Sequence, residues 1–223
     1  MVGFEMGLLA QAQQKGYFDM LVLGGGTIGF IIWGLSVVTV AVIIQFIITI
    51  RRGTLIPEIA RQQIQSMFDN KQYREAIEMT AAEPSFLSYV VHAAMTEAAH
   101  GYGAMERAME EAAEERTTKL LRRIEWLNLI GNVSPMLGLL GTVWGMVLMF
   151  MEIAGSTTMP PVYVLGDKIG IALVTTLLGL AVAIPALAVF SIMRNRIDAL
   201  SSEAMIISQE LISTFRPAAK GGD

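Results

Sequence analysis

The 223-residue chain is 53% hydrophobic and only 16% charged, against about 25% charged in an average soluble domain. Its formal net charge of -4 gives no basis for nucleic-acid binding, and the absence of cysteine excludes disulfides and thiol chemistry. Two histidines, His92 and His100, are too few for a metal cluster, and no metal or cofactor is expected.

In chain order, residues 1–26 come first. Ala10-Gln11-Ala12 has the small-x-small form of a cleavage site, but no cation precedes it. A short amphipathic segment on the outer surface is expected instead, with Tyr17 and Phe18 at the interface. Gly24-Gly25-Gly26 reads as a flexible joint; no Gly-Lys-Ser/Thr follows, so a phosphate loop is excluded.

Three charge-free runs dominate the rest of the chain. They hold 31 residues between Asp19 and Arg51, 26 between Glu125 and Glu152, and 25 between Lys168 and Arg194. A helix needs about 20 apolar residues to cross the hydrocarbon core, so each run is long enough. The spans centre on Ile28–Ile50, Leu129–Met151 and Ile169–Met193. The expected fold is an all-α integral membrane protein with three transmembrane helices and long cytoplasmic helical extensions. The chain divides accordingly into an outer segment 1–26, spans at 27–50, 129–152 and 168–193, a cytoplasmic helical domain 51–128, an outer loop 153–167 and a cytoplasmic tail 194–223. Of 16 cations, 14 fall between spans one and two or after span three; only Lys15 and Lys168 lie on the other side. The positive-inside rule then places the N-terminus outside and the C-terminus in the cytoplasm.

The segment between the first two spans predicts short helices. Ile59, Ile64, Met67 and Phe68 recur at roughly helical spacing after Pro57, and breaks are expected at Asn70 and Pro84. From Ala104 the run AMERAMEEAAEERTTKLLRRIEWLNLI has no breaker and predicts one helix continuing into span two. Glu110, Glu111, Glu114 and Glu115 have cations three and four residues away, which reads as a salt-bridged, solvated face. His92 and His100 are expected two turns apart on one helix, in packing or surface roles. No Ser-His-Asp arrangement, Cys-His pair, HExxH or Walker sequence appears, so the chain does not read as an enzyme.

Inside spans two and three the polar side chains are Asn132, Ser134 and Thr142, then Thr175, Thr176 and Ser191. At 1.5 Å per residue Thr142 lies about 21 Å above Asn128, and Thr176 about 27 Å above Arg194. Antiparallel spans therefore put both threonines at comparable depth. Gly138, Gly141 and Gly145 give span two a small-residue face, with Gly141 and Gly145 a GxxxG pair suited to close helix approach. Neither span carries an acid, base or histidine in its central turns, and a threonine hydroxyl cannot hold a proton charge at neutral pH.

The stretches PMLGLLGTVWGM and GIALVTTLLGLAVAIPA, preceded by AMERAMEEAAEERTTKLLRRIEWLNLIGNVSP and DNKQYREAIEMTAAEPSFLSYVV, resemble the MotA/TolQ/ExbB family of proton-channel proteins over roughly Arg51 to Asp198. Three spans with one cytoplasmic insertion look like the ExbB/TolQ branch, since motility-type MotA members have four. The resemblance implies a homo-oligomeric ring, typically a pentamer, in the bacterial inner membrane. It would surround transmembrane helices of an ExbD- or TolR-like single-span partner with an intramembrane aspartate, and couple proton entry to work at the outer membrane or envelope. It further implies that Thr142 and Thr176 face the pore. Pro135 and Pro185 match motif prolines; from the residues themselves, Gly138, Gly141, Gly145 and Gly179 are expected at helix-packing positions. One departure is Ile171, where ExbB-like members often carry glutamate; Glu152 and Asp167 are the candidate outer-side carboxylates that would compensate. A motility stator is the alternative within the class, and a structural membrane scaffold the alternative outside it.

Overall fold

The computed structural model describes residues 26–156 and 160–216, so the expected outer segment, apart from Gly26, lies outside the described residues. Helices run Gly26–Thr49 (α1), Arg52–Leu55 (α2), Glu58–Asp69 (α3), Tyr73–Ala82 (α4), Phe86–Thr96 (α5), Tyr102–Gly155 (α6) and Val162–Ile212 (α7), with 3-10 turns at Ala98–His100 and Ser213–Phe215. Three of them, α1, α6 and α7, are long and apolar enough to cross a membrane. The chain forms two compact units, one made of the chain up to Ile43 with Leu127–Val189, the other of Ile44–Trp126 with the chain from Phe190 onward.

In the first unit α1 begins at Gly26, whose φ of 57° lies in the left-handed region that glycine adopts without steric cost. Its apolar surface is mostly uncovered, Val37 being 66% exposed, while Ile32 and Thr39, seven residues apart, are buried. The Thr39 hydroxyl donates to the Leu35 carbonyl at 2.7 Å, so its burial leaves no orphan donor. The other two helical segments of this unit, from α6 and α7, pack on each other and carry the candidate site.

The second unit folds around α5. Phe86, Leu87, Val90, Val91, Ala94 and Met95 are all buried on this one helix. Its start is fixed by Ser85, whose hydroxyl oxygen accepts from the Ser88 amide at 3.1 Å, an N-cap in the usual extended conformation. Pro84 just before it forbids helical continuation from α4. On α3 the buried residues are Ala60, Ile64 and Phe68, one turn apart each, whereas Ile59 is 73% exposed. Ile64 and Phe68 of the expected apolar face are thus buried and Met67 is half-buried, while Ala60 takes the inward position expected of Ile59. Asn70 caps α3, and Lys71, at φ 58°, turns the chain into α4. Phe68, Tyr73 and Phe215 close this end of the unit with ring centroids 5.0–6.3 Å apart.

The histidines do not share a helix. His92 lies on α5, with Nδ1 3.2 Å from the Ile77 carbonyl and 3.3 Å from the Thr80 hydroxyl, tying α5 to α4. His100 sits in the 3-10 turn beyond α5, 2.8 Å from Glu97. Glycine at 101, with φ 90°, ends that turn and α6 starts immediately after it.

The expected unbroken helix from the acidic stretch into span two is observed as α6, 54 residues long. On its early turns Glu115 is held by Lys119 and accepts the Tyr89 hydroxyl at 2.8 Å. The Lys119 and Tyr89 hydrogen bonds hold Glu115 below the ordinary carboxylate range, and the Glu115 partner holds the Tyr89 phenol above its ordinary value. The connection between α6 and α7 is shorter than the expected 153–167 loop. Helix α7 begins at Val162, directly after Pro160-Pro161, so Asp167 and Lys168 are already helical.

Removing the Ser85 hydroxyl deletes both the α5 cap and a 2.9 Å bond to the buried Ser88 hydroxyl. Ser85→Ala is expected to destabilise this unit by about 1–2 kcal/mol, read as a lower midpoint in thermal unfolding followed by circular dichroism, with native helix content at low temperature.

Candidate functional site: a small-residue seam between two membrane helices

The buried positions of α6 in the first unit include Leu127, Gly131, Ser134, Gly138, Gly141 and Gly145. They recur in steps of three and four, the spacing that keeps one stripe of a helix turned toward a neighbour. On α7 the matching buried row is Ala172, Thr175, Gly179, Val182 and Ala186. Most of these side chains are small, so the backbones come close. A methyl group added at Gly179 would stand 2.6 Å from the Ser134 carbonyl oxygen, and one at Gly138 would stand 3.0 Å from the Thr175 carbonyl oxygen and the Thr176 Cα. At Gly141 it would meet the Thr175 hydroxyl at 2.3 Å, and at Gly145 the Ala172 Cβ at 2.9 Å. Gly131 adds a further contact, with Leu187. Moving up α6 from Gly131 to Gly145 moves down α7 from Leu187 to Ala172, so the pair is antiparallel.

Polar groups in the seam are satisfied locally. The fully buried Ser134 hydroxyl donates to the Ile130 carbonyl at 2.7 Å. The equally buried Thr175 hydroxyl faces the Ile171 and Ala172 carbonyls at 3.1 and 2.9 Å. Thr175 fills the notch left by Gly141; the sequence assigned Gly141 to close helix approach but gave Thr175 no part in it. The signal was present: Ala172, Thr175 and Gly179 continue the three-and-four spacing of small residues, as do Gly131 and Ser134 on α6.

Thr142 and Thr176 are only half-buried and sit at the edge of the seam. The Thr142 hydroxyl donates to the Leu139 carbonyl at 2.6 Å. The Thr176 hydroxyl crosses to α6 and donates to the Gly138 carbonyl at 3.2 Å. The two hydroxyls from two helices thus act on consecutive carbonyls of one turn. Because Gly138 is also the i−4 partner of the Thr142 amide, Thr176 abuts the backbone link that holds Thr142 in place.

Pro135 and Pro185 lie inside α6 and α7, which continue through them. Pro135 has no N–H to give the Gly131 carbonyl, beside the Leu187 contact. Glu152 is exposed near the end of α6, and Asp167 is exposed near the start of α7. Ile171 is half-buried, and its carbonyl is the one that faces the Thr175 hydroxyl.

Three membrane-length helices, two of them locked by an uncharged seam edged with hydroxyls, define a multi-pass membrane protein. The profile of the MotA/TolQ/ExbB proton channel family matches residues 55–205, and the chain belongs to that family. It is similar to the Biopolymer transport protein ExbB of Xanthomonas campestris pv. campestris, 31% identical over 65% of this chain and 64% of that protein. It is also similar to the Biopolymer transport protein exbB1 of Vibrio cholerae, 50% identical over 28% of this chain and 27% of the relative. The Tol-Pal system protein TolQ of Haemophilus influenzae is 33% identical over 44% of this chain and 42% of its own length. Each match spans less than two-thirds of the relative's length.

A backbone carbonyl cannot move aside as a side chain does, so Gly179→Ala, facing the Ser134 carbonyl, is expected to cost about 1–3 kcal/mol. Gly141→Ala meets the Thr175 side chain and should be largely rescued by Thr175→Ala, whereas Gly34→Ala, which adds its methyl to open space, should be neutral. Thermal stability of the four variants in detergent tests the ordering.

Proposed function

We propose that the chain is the ring-forming subunit of a proton-driven motor of the bacterial inner membrane. It works with an ExbD- or TolR-like single-span partner and powers work at the outer membrane or envelope, such as biopolymer uptake. The observation that carries this reading is the pair Thr142 and Thr176, whose hydroxyls reach neighbouring carbonyls at the half-buried edge of an otherwise dry seam. Family membership supports proton conduction, and the ExbB and TolQ relatives support the envelope branch over a motility stator.

Carrying a proton across about 30 Å of hydrocarbon requires titratable groups or ordered water. The spans hold no charged residue between Glu125 and Glu152 or between Lys168 and Arg194. In this reading the partner's aspartate carries the proton and the threonines order water beside it. Each threonine hydroxyl donates to a backbone carbonyl and keeps lone pairs free to accept from water. Glu152 and Asp167 serve as the outer-side carboxylates, and the positive-inside asymmetry puts the N-terminus in the periplasm.

The glycine face of α6 is occupied within one chain, by α7. It therefore does not itself call for contact between subunits, and the ring rests on the family resemblance. A ring predicts a single large species, most simply a pentamer, when the complex extracted in mild detergent is weighed by light scattering or native mass spectrometry. A homogeneous monomer would overturn it.

The water-ordering role is tested by Thr142→Val with Thr176→Val, which keeps side-chain volume and removes both hydroxyls. Proton-driven activity with the partner present is expected to fall at least several-fold, since each lost water-mediated hydrogen bond is worth about 1 kcal/mol. Ring mass should be unchanged. Thr39→Val, whose hydroxyl is bonded within its own helix on a buried residue, unlike half-buried Thr142, should retain near-normal activity. Full activity in the double variant would remove the two threonines from the proton path.

A further inference from the structure

A cavity of about 130 Å³ opens in the second unit where α1 ends, lined by Thr49, Thr54, Phe86, Arg116, Lys119 and Arg123 among others. Three features characterise it. Its lining holds three cations and no carboxylate, whereas the larger cleft along α6 and α7 is lined by Glu110, Glu114 and Asp198 and holds no Lys or Arg. The cations recur at positions i, i+3 and i+7 of α6, so one helix face presents all three. The wall is apolar on the side of Leu55, Phe86 and Leu120, and Thr49 is the last residue of a membrane-length helix.

Arg116 supplies an independent observation. Its guanidinium lies over the Tyr89 ring, 3.9 Å from the centroid, with the Glu115 carboxylate acting on it electrostatically. Its Nε is buried without a hydrogen-bond partner among the described residues. A buried donor without an acceptor is costly, and such groups call for a ligand oxygen. Glu115, which pairs with Lys119 and also acts on Arg116, offsets one of the three lining cations and leaves an excess of about two positive charges.

We propose that this cavity binds the phosphodiester headgroup of an anionic phospholipid, with Arg116 and Arg123 on the phosphate oxygens, Thr49 and Thr54 beside them, and the glycerol end against the apolar wall. The site rests on the membrane placement of α1, and not on the proton path. Basic pockets next to the cytoplasmic ends of membrane helices attract anionic lipid in this way. A bound lipid would fix the end of α1 against α2 and α5.

The test uses the intact detergent-purified complex, titrated with dioleoylphosphatidylglycerol or dioleoylphosphatidylcholine, with retained lipid counted by native mass spectrometry. The wild-type protein should retain the anionic lipid in clear preference to the zwitterionic one. R116Q with R123Q should lower that retention about thirtyfold, while R74Q, on an exposed side chain of α4 far in sequence from the cavity, should leave it unchanged. Equal retention of the two lipids by the wild type, which needs no variant to fold, overturns the proposal. So does unchanged retention in a double variant of native helix content. Inorganic phosphate that binds saturably and cannot be displaced by the anionic lipid would assign the cavity to a free phosphate and overturn the lipid site. None of these readouts depends on proton flow, so a failure here and a failure of the threonine experiment are separable.

Discussion

The membrane unit depends on the near-contact of two backbones at Gly179 and Ser134. Lipid tails are as apolar as leucine, so burying apolar surface between membrane helices gains little over leaving it in lipid. What remains is dispersion, which falls off within an ångström of optimal separation. Glycine at 138, 141, 145 and 179 sets that separation by bringing the α6 and α7 backbones against each other and against the small Thr175 and Ala172 side chains. The hydroxyl of Thr176 reaches the Gly138 carbonyl only because the backbones are this close.

That close approach sorts the hydroxyls into two classes. Ser134 and Thr175 are sealed inside the seam and closed on carbonyls of their own helices, which removes the cost of burying them. Thr142 and Thr176 lie at the edge, where a further helix or water can reach them. The seam is therefore a dry, uncharged wall with a narrow polar rim. The side chains of such a wall offer no group that titrates near neutral pH.

The second unit solves a different problem by different means. Burying the apolar face of α5 away from water supplies stabilisation at about 25 cal/mol per Å²; α4 and α2 pack against that helix, and α3 packs against α4. Its ion pairs lie mostly at the surface: the Arg74–Glu78 side chains are 89% and 69% exposed, and pairs of that kind contribute little. Tyr89, Glu115, Lys119 and Arg116 form a connected polar cluster instead, in which hydrogen bonds shift the tyrosine and the glutamate in opposite directions. In the same cluster the Nε of Arg116 has no hydrogen-bond acceptor among the described residues, and it stands beside the basic cavity.

Properties carried along the chain were legible from the sequence by itself. A charge-free run of helical length, a breaker-free acidic helix joining such a run, and the breaks near Asn70 and Pro84 each depend on neighbours in sequence, and the helices follow them. The paired motifs that define the family are likewise a matter of residue order. What only the tertiary structure decided was rotational phase, that is, which residue of a turn faces in. Ala60 faces in instead of Ile59, Thr175 fills a glycine notch while Thr176 stays at the rim, and the glycine face of α6 is taken by α7 of the same chain. Adjacent residues of a helix differ by about 100° in direction, and in a span that is apolar all round no contrast between wet and dry faces marks the choice. The partner that packs against the helix makes it, by the space it leaves.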